Sequence, residues 1–193
     1  RETPLPVLGS LPHLPDAVIE SRHLGLKTAG EITDLQKKIQ HMADVFMQTL
    51  DWDALFTLTA RPTPDSNFSR SSVSSPSPVR IAVANDEAFC FTYAETLDSL
   101  RAAGAEPVFF SPLHDAKLPG LIGGLYLPGG YPELYAKALS ENRSMLASIR
   151  SAIERGLPTV AECGGFLYLG QSLESVDGTS YPMAGVLPGQ GFR

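Results

Sequence analysis

An α/β fold built on an open parallel sheet is predicted for residues 80–193, on three observations. Short apolar segments of strand length alternate with helix-length amphipathic segments, the pattern of helices laid on the faces of a parallel sheet. Each predicted strand ends in small or polar residues: Asn85, Ser111, Gly129-Gly130 and Cys163. The last strand turns into a helix within one residue, and that residue is Cys163.

Ahead of this region the chain has a different character. Leu5 to Leu14 (LPVLGSLPHL) is an apolar run interrupted by prolines, which predicts one strand followed by an irregular loop. The loop continues through Arg22-His23-Leu24-Gly25-Leu26, where Arg22 and His23 are read as a solvated pair rather than an anion site. Lys27-Thr28 has the ending of a phosphate-binding P-loop, but the pattern needs glycine at 21 and 26, where the chain has Ser21 and Leu26. No P-loop is found elsewhere. From Glu31 to Leu50 the residues Ile32, Leu35, Ile39, Met42, Phe46 and Leu50 recur at three- and four-residue steps, predicting one amphipathic helix whose apolar stripe is core. His41 falls on its polar face. Trp52, Leu55, Phe56 and Leu58 predict a second short helix packed against the first. Residues 61–79 (RPTPDSNFSRSSVSSPSPV) are rich in Ser and Pro and are expected to be an interdomain linker, since such a segment cannot bury enough surface to offset its ordering entropy.

Within 80–193 the elements follow in order. Arg80 to Ala84 is the first strand, and Thr92-Tyr93-Ala94-Glu95 has capping-box spacing ahead of a helix at about 93–103 that Gly104 closes. Pro107 to Phe110 is the second strand. Leu121 to Leu127 is the third, and Pro132 is placed to start a helix over 132–140. Met145, Leu146, Ile149, Ala152 and Ile153 mark the core face of a further helix stopped by Gly156. Pro158 to Glu162 is the fourth strand and delivers Cys163.

Composition narrows the function. The chain of 193 residues is 43% hydrophobic and carries a net charge of -6 without a basic cluster, which argues against nucleic acid or an anionic membrane as partner. No apolar run approaches the ~20 residues needed to span a bilayer. Two cysteines, Cys90 and Cys163, form no disulfide framework and no zinc-ligand spacing, so no metal site and a cytoplasmic setting are expected.

Thr159 to Gly170 (TVAECGGFLYLG) has the layout of a nucleophile elbow. The strained turn requires small residues two before and two after the nucleophile, and Ala161 and Gly165 supply them. A thiol at a helix start has its thiolate favoured by the N–H groups facing it, so Cys163 is the candidate nucleophile; a buried core cysteine is the plain alternative. Strand carboxyl ends share one crevice in open parallel sheets. Asn85, Ser111, Gly129-Gly130 and Cys163 are therefore expected at one site, with Gly164 N–H as one oxyanion donor and Gly129 or Gly130 as the other. Taken alone, Gly129-Gly130 reads equally as a strand-to-helix turn.

The segments Asn85 to Phe91 (NDEAFCF), Phe109 to Leu113 (FFSPL), Leu127 to Leu134 (LPGGYPEL) and Ala161 to Gly165 (AECGG), in that order, resemble the cobyrinic acid a,c-diamide synthase family. The resemblance identifies residues 80–193 as a class I glutamine amidotransferase domain with a flavodoxin-like sheet. Residues 1–60 resemble the mainly helical tail of that family's ATP-dependent P-loop synthetase domain. Thr92-Tyr93-Ala94-Glu95 departs from the family, which usually has proline before that glutamate. The resemblance implies that Cys163 forms a glutamyl thioester and releases ammonia from glutamine. It further implies that ATP with Mg2+ activates the a and c carboxylates of cobyrinate, or a related corrinoid precursor, for amidation. It admits a homodimer. The family's P-loop is expected before Arg1 and its catalytic histidine after Arg193, because the four histidines present are His13, His23, His41 and His114. Only His114 falls on the crevice side. Two other readings stand beside this one: a cysteine hydrolase or isomerase of a related flavodoxin-like family, and a non-catalytic module that binds a tetrapyrrole or a protein.

Overall fold

The computed structural model describes residues 5–20, 27–60 and 78–192. The chain divides into two compact units, 1–68 and 69–193.

In the first unit, α1 spans Leu35–Thr49 and α2 spans Trp52–Thr59. Helix α1 starts later than the sequence pattern predicts. A separate 3-10 turn, Ala29–Glu31, precedes it, held by a capping box between Thr28 and Glu31, so Ile32 lies outside the helix. The Asp51 side chain caps α2 by accepting from Ala54 N–H at 3.0 Å. Trp52 lies against Phe46 and Phe56 at ring separations of 6.1 and 6.0 Å. Two expectations fail here. No residue of α1 is fully buried among the described residues: of the stripe predicted to be core, Ile32, Leu35, Met42 and Leu50 are half-buried, while Ile39 and Phe46 are exposed. Residues 5–14 form no strand; a short 3-10 turn at Pro15–Ala17 follows them instead. Proline interrupts backbone donation in that run, and Asp51 N–H bonding to Leu8 O at 2.7 Å ties it to the helical hairpin rather than to a sheet.

Residues 61–77 of the Ser/Pro-rich stretch lie outside the described residues, as do Arg22 and His23.

The second unit is organised by a parallel sheet of β1 (Val79–Ala84), β2 (Ala105–Phe110), β3 (Gly124–Leu127) and β4 (Thr159–Ala161), in spatial order β2-β1-β3-β4. Register runs Ala82↔Val108, Ala82↔Leu125 and Tyr126↔Val160. This order places a topological switch between β1 and β3, the position at which doubly wound sheets open their crevice. Helix α3 (Ala94–Ala102) packs against β2, while α4 (Ala136–Glu141) and α5 (Arg143–Glu154) connect β3 to β4. The core joins Ala82, Ala84, Leu125 and Leu127 of the sheet to Leu139, Met145 and Ile149 of those helices. On the α3 side, a groove of about 540 Å³ runs over Ile81, Tyr126 and Val160, and Val160 is 58% exposed although it lies in a strand.

Three details depart from the sequence reading. The third strand starts at Gly124 rather than Leu121, because Leu121 takes φ 56 and stands 92% exposed, which ends any extended run there. The capping box expected at Thr92–Glu95 does not form: the α3 cap is Tyr93 without a side-chain bond, and Thr92 Oγ1 is buried without a partner among the described residues. The helix expected over 132–140 is a 3-10 turn at Pro132–Leu134 followed by α4. Beyond Cys163, α6 (Gly164–Tyr168) leads into a small sheet of β5 (Ser172–Glu174), β6 (Ser180–Pro182) and β7 (Gln190–Gly191), in order β6-β5-β7. These short strands were not predicted; two or three residues are too few to show an alternating pattern. The connection between β6 and β7 holds the end of α6 in place, since Ala184 N–H donates to Tyr168 O and Val186 N–H to Leu169 O.

Candidate active site

The elbow is built by a rapid change of backbone partner. Glu162 N–H still belongs to the sheet, donating to Leu127 O at 3.0 Å. Two residues later the helix has begun: Gly165 N–H donates to Glu162 O at 2.8 Å, and Phe166 and Leu167 N–H both donate to Cys163 O at 3.1 Å. Cys163 alone absorbs the reversal, with φ 48 and ψ -115, and it is exposed. A non-glycine residue there stores on the order of 1–3 kcal/mol of strain. Close packing behind the turn accounts for the small residue two positions on: a β-carbon on Gly165 would stand 2.2 Å from Leu127 O.

The loop after β3 lies directly against this turn. A β-carbon on Gly129 would be 3.4 Å from Cys163 Cβ, and one on Gly164 would be 3.1 Å from Gly130 O and 2.6 Å from Pro132 Cδ. Gly129, Gly130, Cys163 and Gly164 are therefore neighbours. Gly129 forms an isolated antiparallel bridge with Phe91, in which Phe91 N–H donates to Gly129 O at 3.1 Å. In such a pair the two residues direct their N–H groups at each other's carbonyls, so the Gly129 N–H faces Phe91. Among the described residues, no backbone carbonyl accepts from the N–H of Gly130 or Gly164.

The loop after β1 supports this arrangement through a residue the sequence reading did not single out. Asp86 Oδ1 accepts from Ala88 N–H at 2.9 Å and Phe89 N–H at 3.1 Å, and Oδ2 accepts from Ser111 Oγ at 2.8 Å and Leu113 N–H at 2.9 Å. Ser111 thus reaches the site region through Asp86, while Asn85 N–H remains on Phe110 O at 2.9 Å as a continuation of the sheet. A carboxylate just past a strand, followed by backbone donors two and three residues on, is an Asx-type turn signal, and it was legible in Asn85-Asp86-Glu87-Ala88-Phe89.

Two further side-chain pairs lie near the carboxyl ends of the strands, one of them at the elbow. The Tyr126 hydroxyl donates to Glu162 Oε2 at 2.9 Å, and burial first, then Glu162, pushes the phenol up to about 12. His114 Nε2 lies 3.0 Å from Glu87 Oε2. The Glu87 carboxyl is held below the usual range first by its own backbone N–H and then by His114. His114, the one histidine expected on the crevice side, is thus engaged by a carboxylate. No group of three or more His, Cys, Asp or Glu side chains that could hold a metal ion is gathered among the described residues, and no helix there is long and apolar enough to cross a membrane.

The family of CobB/CobQ-like glutamine amidotransferase domains matches residues 80–191. Curated relatives include a cobyrinate a,c-diamide synthase of Synechocystis sp., 43% identical over 189 residues that cover 95% of this chain and 39% of that protein. Another of the same name, from Dehalococcoides mccartyi, is 45% identical over 188 residues, covering 95% of this chain and 41% of that protein. A hydrogenobyrinate a,c-diamide synthase of Brucella anthropi is 42% identical over 183 residues, covering 95% and 42%. The chain spans about two-fifths of the length of these relatives.

Proposed function

We propose, for a chain that belongs to the CobB/CobQ-like glutamine amidotransferase domain family, that Cys163 releases ammonia from glutamine for amidation of a cobyrinate-type corrinoid. The observation that carries this reading is the strained, exposed Cys163 beside Gly129 and Gly164, where no backbone carbonyl among the described residues takes the N–H of Gly130 or Gly164. In the first step Sγ attacks the side-chain carbonyl carbon of glutamine, and the oxygen that becomes negative is received by N–H donors already in place. Gly164 N–H is one. The bridge to Phe91 favours Gly130 over Gly129 as the other. Collapse of the tetrahedral adduct breaks the C–N bond, the nitrogen leaves as ammonia after gaining a proton, and water then cleaves the glutamyl thioester to glutamate. The proton steps are assigned to a histidine outside residues 1–193, since the hydrogen bond that His114 makes goes to Glu87 and none among the described residues joins it to Cys163.

The acceptor reaction is inferred from the relatives' names: ammonia converts the a and c carboxylates of cobyrinate, or of hydrogenobyrinate, to amides. ATP and Mg2+ would activate those carboxylates. The residues of this chain fit neither, with no P-loop in the sequence and no metal-ligand cluster among the described residues, so both are assigned to the remainder of the protein. Residues 1–60 are read as the tail of that synthetase domain, and a cytoplasmic location goes with the reading.

The test is ammonia release from glutamine by the full-length protein and by its Cys163→Ser variant, with and without ATP and the corrinoid. Loss of release in the variant, with ammonia added externally still supporting amidation, is the expected result. Unchanged release would remove Cys163 from the reaction and favour a binding role for this domain.

A further inference from the structure

We propose that Asp86 is a positioning residue for the oxyanion hole, setting the separation between its two N–H donors. The inference rests on the reading of Cys163 as nucleophile, and its geometry begins with a saturated carboxylate. All four strong acceptor directions of Asp86 are used: two on the turn that follows it, through Ala88 and Phe89 N–H, and two on the loop after β2, through Ser111 Oγ and Leu113 N–H. The turn so held is buried, with Ala88 and Phe89 both fully inaccessible.

From that turn, contact runs to both sides of the hole. On one side, Ala88 O lies where it leaves no room for a β-carbon on Gly130, and Phe91 N–H fixes Gly129 O at 3.1 Å. The peptide that presents Gly130 N–H is therefore clamped by residues 88 and 91. On the other side, the Phe89 ring packs on Tyr168 at 5.2 Å, and Tyr168 is the last residue of α6, whose first residue is Gly164. Tyr168 is fully buried, so the Phe89 ring meets α6 inside the core rather than at its surface. One side chain thus braces the loop carrying one donor and the helix carrying the other. Asp86 bonds neither glutamine nor Sγ; it acts through where the donors point.

Asparagine cannot replace it. Every direction around the carboxylate faces a donor or a hydroxyl, so an amide NH2 in either orientation meets at least one backbone N–H head-on. The experiment compares the full-length protein with Asp86→Asn, Ser111→Ala and Cys163→Ser, measuring glutaminase kcat and KM together with the rate of Cys163 alkylation by iodoacetamide, which forms no oxyanion adduct. For Asp86→Asn the expected result is a kcat lower by about 10- to 100-fold, below the loss seen when a donor is deleted outright. KM and alkylation should stay within about threefold. Ser111→Ala, which removes one of the four donors, should shift kcat in the same sense by less, and it carries the test if Asp86→Asn does not fold. A kcat unchanged in both variants overturns the inference, as does a fall of kcat and alkylation in common proportion, the mark of a merely structural role. If Cys163→Ser retains ammonia release, the nucleophile reading itself fails; if it does not and Asp86→Asn is unaffected, only the positioning role fails.

Discussion

A β-carbon on Gly130 would stand 2.1 Å from the carbonyl oxygen of Ala88, so the two loops that frame the site touch backbone to backbone. Neither partner is a flexible side-chain end that could swing aside. Gly130→Ala is expected to cost about 3 kcal/mol, the upper part of the overpacking range, and to abolish glutaminase activity. Gly129→Ala meets only the Phe91 ring at 3.3 Å and Cys163 Cβ at 3.4 Å, and it should cost about 1 kcal/mol or less. Urea unfolding of the two variants checks the ordering, and equal losses would show that the loops yield.

Cys163 is exposed while Cys90 is partly buried. Peptide mapping after timed iodoacetamide treatment should show Cys163 modified at least about tenfold faster than Cys90 in the folded protein, with the difference lost in denaturant. Comparable rates in the folded protein would mean that the elbow is shielded.

The Tyr126–Glu162 pair makes a prediction on the alkaline side. The folded-state value of the Tyr126 phenol is raised to about 12 from an ordinary 10, first by burial and then by its bond to Glu162. A folded state that binds the proton more tightly keeps this contribution in full below pH 10 and loses it as pH rises toward 12. Stability measured against pH should fall more steeply over that window in the parent protein than in Tyr126→Phe. Parallel curves would contradict the assignment.

The parallel sheet and the placement of Cys163 were legible because they rest on strong local signals: short apolar runs that alternate with helix-period segments, and a cysteine framed by small residues. The elements that were misread depend on context. Leu121 looks like the start of a strand by composition, yet a left-handed φ at that one residue removes it, and nothing in its side chain signals that conformation. Thr92 and Glu95 have the right spacing for a capping box, but the Thr92 hydroxyl is buried without a bond among the described residues and the cap falls on Tyr93. The role of Asp86 was hidden for a similar reason, since two of its four bonds come from Ser111 and Leu113, which only folding brings near.

The last prediction concerns the strain at the nucleophile. Cys163 holds φ 48 and ψ -115, a region that glycine enters freely and a residue with a β-carbon does not. Its side chain is exposed, so truncation removes little packing. Ordinarily, replacing a residue with alanine leaves a protein more stable than replacing it with glycine, because glycine gives the unfolded chain more conformations, an effect of about 0.4–1 kcal/mol. At this position the order should invert: Cys163→Ala keeps the β-carbon and the strain, whereas Cys163→Gly releases on the order of 1–3 kcal/mol. Net of the unfolded-state term, Cys163→Gly should unfold about 1 kcal/mol later than Cys163→Ala, and both should lack glutaminase activity. The elbow would then be held in a costly conformation that only the chemistry requires. Urea denaturation of the two variants decides the matter, and an alanine variant as stable as the glycine one would show that the turn imposes no strain on its residue.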